Sequence, residues 1–106
     1  MNYTEFLTAR YDEDASSADE IHNGMDCASC GPIPFSCDCG VPARMLREVE
    51  AKRMILAEYE SFRVEVNWPG ARAGAGVITG YEELRFAVGA LAAVYSDHPD
   101  YEKIEP

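Results

Sequence analysis

Apolar residues recur at Tyr3, Phe6, Leu7, Tyr11, Ala15 and Ala18, the three-and-four spacing that predicts an amphipathic helix over about 2–20. Asn2 followed by Glu5 is a capping box at its start, and Asn23-Gly24 is a turn signal beyond its end. From 21 to 42 neither the helical nor the strand period is present, and Gly24, Gly31, Pro32, Pro34, Gly40 and Pro42 punctuate the chain. Pro42 suits the first position of a following helix, where its missing N–H is no loss. Met45, Leu46, Val49, Leu56, Tyr59 and Phe62 then mark one broad face of a second helix over about 43–66, with Glu48 and Lys52 as an i,i+4 pair. The alternation in Arg63-Val64-Glu65-Val66 also suits a short strand, but Phe62 and Val66 continue the helical stripe and favour helix. Trp68-Pro69-Gly70 ends it, because the residue before a proline is steered away from helical geometry. A linker of small residues spans 67–79, and Thr79 with Glu82 is a second capping box. A third helix is predicted over 80–96, with Leu84, Ala87, Val88, Leu91, Val94 and Tyr95 on its apolar face, followed by a tail over 97–106. No internal repeat is apparent.

The aperiodic segment changes the picture, because it holds all four cysteines. Cys27 and Cys30 have the spacing with which two thiolates grip one metal from a tight turn, and Cys37 and Cys39 leave the same side of an extended segment. The expectation is a mainly α protein of three helices in a single domain, 1–106, with a cysteine-rich zinc-binding loop between the first two helices. Its metal ligands are Cys27, Cys30, Cys37 and Cys39, with His22 as an alternative ligand and zinc as the cofactor. An iron–sulfur cluster, disulfides and unligated thiols are the competing accounts. Leu7, Leu46, Val49, Leu56, Leu84, Val88 and Leu91 are expected in one core.

The formal charge is −10, and Arg10 is the lone Lys or Arg among the first 43 residues. Direct nucleic-acid binding is not expected, because it needs a basic footprint that displaces counterions from phosphates. An acidic surface suits a protein partner with a basic surface. Met1-Asn2-Tyr3-Thr4-Glu5 has neither the basic nor the apolar region of a signal peptide, and no apolar run spans a bilayer, so the cytosol is the expected location.

Three stretches, Phe6 to Asp14, Pro42 to Arg53 and Tyr95 to Tyr101, resemble a family of small uncharacterised proteins from actinobacteria and their phages. The resemblance implies a bacterial or phage-infected bacterial cytosol. The family is a domain of unknown function, so the resemblance lends no catalytic residue.

The carboxylates Asp12, Glu13, Asp14, Glu48 and Glu50 raise a magnesium-dependent nucleotide hydrolase, but adjacent positions splay around a helix and suit a solvated face better. His98 between Asp97 and Asp100 has the residue types of a metal or proton-transfer site, but is better read as a helix C-terminal residue interacting with the last carbonyls. No serine–histidine–aspartate pattern or phosphate loop is recognisable. The expected function is a small, acidic, zinc-binding, non-enzymatic protein acting through protein–protein interaction, in a sharper form a phage host-takeover or anti-defence factor. A thiol and zinc redox sensor is the alternative, and the hydrolase comes last.

Overall fold

A computed structural model describes residues 1–21, 41–68 and 74–105. The described chain forms three helices, α1 (Tyr3–Ile21), α2 (Val41–Asn67) and α3 (Ala75–Ala93), and a short 3-10 helix over Pro99–Lys103. The mainly α, three-helix architecture is thus present. It divides into two compact units, one of Met1–Thr8 with Arg53–Pro106, the other Ala9–Lys52, so the boundary falls inside α1 and α2.

The start of α1 follows directly from its cap. Asn2 Oδ1 accepts the Glu5 N–H at 2.8 Å, satisfying a donor that the first helical turn leaves without a partner. In the first unit the buried side chains are Phe6, Leu7, Leu56, Tyr59, Val88 and Ala92. Phe6 is the hub of the helix ends, meeting the rings of Tyr95, His98 and Tyr101 edge-on with centroids about 6 Å away. Residues 97–106, expected as a tail, therefore include an ordered element. His98 caps it, its Nδ1 accepting the Asp100 N–H at 3.0 Å. The histidine caps the start of the element that follows it, where the expectation had it at the end of α3.

Helix α3 begins five residues earlier than the 80 that the Thr79–Glu82 box predicts. Gly74 occupies the N-cap position with extended backbone, and its carbonyl accepts from Val77 and Ile78 at 3.1 and 3.2 Å. Thr79 and Glu82 consequently lie within the helix. Gly80, expected as the first residue of the helix, is a packing position within it, since a Cβ there would come within 3.0 Å of Phe62 Cε1. The ring of Phe62 uses the space that any larger residue would fill.

In the second unit Tyr11, Ala18 and Val49 are buried, as is Arg10, which pairs with Glu13 at 2.9 Å. Burial, and after it the charge of Asp14, pushes the Tyr11 phenol up to about 12. Leu46, expected in the core, is 39% exposed.

Among the described residues no group of three or more His, Cys, Asp or Glu side chains is placed to hold a metal ion, so the described fold is three helices with no zinc-binding element among the described residues. Cys27, Cys30, Cys37, Cys39 and the alternative ligand His22 lie outside the described residues. A sequence interval brings ligands within reach of one another, but a metal shell also needs their side chains to converge.

Candidate functional site: a tyrosine–arginine cleft

The first unit carries a cleft of about 200 Å³ whose walls come from three elements. Helix α2 contributes Tyr59, Arg63 and Asn67, four residues apart and therefore on one face. Helix α3 contributes Tyr81 and Arg85 at the same spacing, and the start of α1 adds its cap Asn2 and its first residue Tyr3. Glu105 reaches the mouth because its N–H donates to the Met1 carbonyl at 2.7 Å.

The aromatic floor is continuous. Tyr59 stacks on Tyr81 with centroids 5.8 Å apart and planes at 15°, and Tyr3 meets Tyr59 edge-on at 6.4 Å. Burial is the main reason that the Tyr59 phenol is pushed up to about 12, helped by a hydrogen bond with Tyr81, while the charges of Arg85 and Arg63 pull it down. Tyr59 therefore stays a neutral phenol within the field of both guanidinium groups.

The two arginines differ in their partners. Arg63 donates from Nε and Nη2 to the Glu60 carboxylate, both at 2.7 Å, and Thr4 Oγ1 donates to the same carboxylate at 2.7 Å. The Arg63 bond is the chief cause that holds the Glu60 carboxyl below its ordinary range, and in return it raises the guanidinium. Arg85 takes part in no ion pair among the described residues, although Glu82 stands three residues before it. One cation of the cleft is thus neutralised and the other is available.

Beside the cleft, and sharing Tyr3 and Arg85 with it, a groove of about 580 Å³ continues along α3 past Phe86, Gly89 and Ala90. The Tyr3 hydroxyl lies 3.4 Å from where a Cβ on Gly89 would be, so glycine lets that phenol rest against the helix. Phe86 is 82% exposed and Val94 67%. With Ala90 and Ala93, also exposed, they form an apolar stripe on the outer face of α3, bordered by exposed Glu82, Glu83 and Asp97.

None of the sequence-predicted metal residues contributes to this site. Zinc is corrected as a cofactor, and with it the zinc-binding function and the zinc redox sensor, because the described residues assemble no metal-holding group. The same finding overturns the carboxylate hydrolase. Glu13 is engaged by Arg10 and Glu48 by Arg44 at 3.2 Å, both along their own helices, and no three of these carboxylates come together to hold a metal ion among the described residues. The sequence reading missed Arg63, Arg85 and the tyrosine floor. A signal for them exists: Tyr59-Glu60-Ser61-Phe62-Arg63 and Tyr81-Glu82-Glu83-Leu84-Arg85 repeat one five-residue pattern, Tyr-Glu-x-apolar-Arg, once on each helix.

No helix among the described residues is long and apolar enough to cross a membrane. A family model, the family of unknown function DUF6221, matches residues 35–104. That match covers most of the chain, and the protein belongs to this family. Neither the curated proteins nor the solved structures contain a match.

Proposed function

We propose that this is a non-enzymatic binding protein that engages a protein partner through the outer face of α3. The observation that carries the reading is the exposure of Phe86, 82%, on a stripe continued by Ala90, Ala93 and Val94. A helix that is apolar on both its inner and outer faces is one whose outer face has something to cover it. Chemistry narrows the partner. Glu82, Glu83 and Asp97 border the stripe and the chain carries −10, so the fitting surface is an apolar ridge flanked by Lys or Arg. Like charge disfavours a second copy of the same chain in that place. The resemblance to small proteins of actinobacteria and their phages supports a location in the cytosol of such a bacterium or of one infected by a phage.

Fluorescence anisotropy with labelled amphipathic helical peptides tests the reading. One peptide presents leucines flanked by lysines, a second the same leucines flanked by glutamates. The basic peptide should bind, the acidic one should not, and Phe86→Ala should weaken binding about tenfold or more. Binding that is indifferent to Phe86→Ala overturns the assignment of this face, and a stable dimer by sedimentation overturns the choice of partner.

A further inference from the structure

We propose that the Tyr59–Arg85 cleft is a binding site for a small organic monocarboxylate, whose carboxylate pairs with Arg85 and whose apolar body lies on the tyrosine floor. The cleft adjoins the outer face of α3 through Tyr3 and Arg85, but Phe86 and Ala90 do not line it, so the proposal does not rest on a partner at that face.

The charge of the ligand follows from the count of partners. Glu60 neutralises Arg63 through two bonds of 2.7 Å, so among the described residues Arg85 is the uncompensated cation of the cleft. Glu105 at the mouth, its side chain 84% exposed, is paired with the Met1 amino group at 3.9 Å and so leaves the count unchanged. One positive charge balances one negative charge. A phosphate monoester or a dicarboxylate would bring a second charge with no counterpart into a protein of −10.

The geometry of recognition is that of a planar fork meeting a carboxylate, the pairing in which arginine forms two parallel hydrogen bonds. The amide groups of Asn2 and Asn67 also line the cleft. Asn67 already donates from Nδ2 to the Arg63 carbonyl at 2.8 Å, which holds its side chain in place.

The body of the ligand follows from volume and lining. About 200 Å³ is the room of roughly seven water molecules at about 30 Å³ each, enough for a carboxylate with a short or ring-shaped apolar body. Tyr3 and Tyr81, both partly exposed, offer that body ring surface with the buried Tyr59 stacked behind Tyr81, and the groove toward Phe86 accepts a longer one where the two hollows share Tyr3 and Arg85. The repeated Tyr-Glu-x-apolar-Arg pattern gives the site its logic: the copy on α2 is closed by its own glutamate and the copy on α3 is left open.

Titration of the full chain with benzoate, followed by amide NMR and calorimetry, tests this. Benzamide serves as the uncharged isostere and inorganic phosphate as the competing anion. Saturable benzoate binding is expected, with shifts at Tyr3, Tyr81 and Arg85 and none at Arg44, and with benzamide and phosphate at least about tenfold weaker. Arg85→Gln should cost benzoate affinity about tenfold or more, and Arg85→Lys should retain part of it. Wild-type shifts keep the test decisive even if a variant fails to fold. Benzamide binding as well as benzoate, phosphate binding better, shifts that map away from the cleft, or Arg85→Gln without effect would each overturn the proposal.

Discussion

Two alanine substitutions on α3, two residues apart, test whether its outer face is uncovered in the protein. Val88 is fully buried, whereas Phe86 is 82% exposed. Val88→Ala removes two carbons at about 0.8 kcal/mol each and leaves a cavity whose lining relaxes incompletely, for a gross cost of about 2–3 kcal/mol. The higher helix propensity of alanine returns about 0.5 kcal/mol, so a net loss of about 2 kcal/mol is expected. For Phe86→Ala the residue is larger but less than a fifth of it is covered. A phenylalanine side chain of about 200 Å² then loses about 40 Å² of burial, or about 1 kcal/mol at ~25 cal/mol per Å². The same propensity gain leaves a net loss of about 0.5 kcal/mol. Urea unfolding followed by far-ultraviolet circular dichroism separates the two, because at a slope near 1.5 kcal/mol per M the midpoints should fall by about 1.3 M and about 0.3 M. If Phe86→Ala costs as much as Val88→Ala, the outer face is covered within the protein itself, and the docking argument fails with it.

Acid stability should carry the signature of Glu60. Its folded pKa is lowered, so its contribution is complete above the unfolded value of 4.5 and disappears as pH falls through the folded one. Glu60→Gln should therefore be about 1 kcal/mol less stable than wild type at neutral pH and converge with it in acid; a gap independent of pH would contradict the pairing. At the alkaline end the sign reverses. Tyr11 is raised from 10.0 to about 12, so its contribution is complete below pH 10 and is lost as pH rises toward 12. Tyr11→Phe should flatten that alkaline decline in melting temperature, and an unchanged slope would mean that another group causes it. Helix α3 supplies a pair of glycine tests by calorimetric melting. Gly76→Ala meets nothing within 4 Å and should stabilise by about 0.5 kcal/mol, whereas Gly80→Ala presses on Phe62 and should lose about 1 kcal/mol. Equal stabilisation by both would show that Phe62 yields without cost.

Local physics made the helices legible in the chain. The three-and-four spacing of Phe6, Leu7 and Tyr11, or of Val49, Leu56 and Tyr59, is a property of one segment, and those residues are buried. The Asn2 cap was legible for the same reason, being a contact between residues three apart. The start of α3 was not, because the Thr79–Glu82 box satisfies the local rule while Gly74, five residues before Thr79, takes the cap position. Periodicity could not tell that Phe86 would stay outside, since α3 is apolar on both faces and only its neighbours choose the covered one. The cysteine spacing pointed to zinc, and the described residues contain no group that holds a metal. Most telling are the two Tyr-Glu-x-apolar-Arg segments, nearly equivalent in sequence and both helical. Thr4, more than fifty residues away along the chain, donates to Glu60 and helps hold that carboxylate against Arg63. Among the described residues Glu82 makes no such pair, so of two arginines with the same local sequence the tertiary structure closes one and leaves the other open, because a hydrogen bond from a distant helix is not encoded in either pentapeptide.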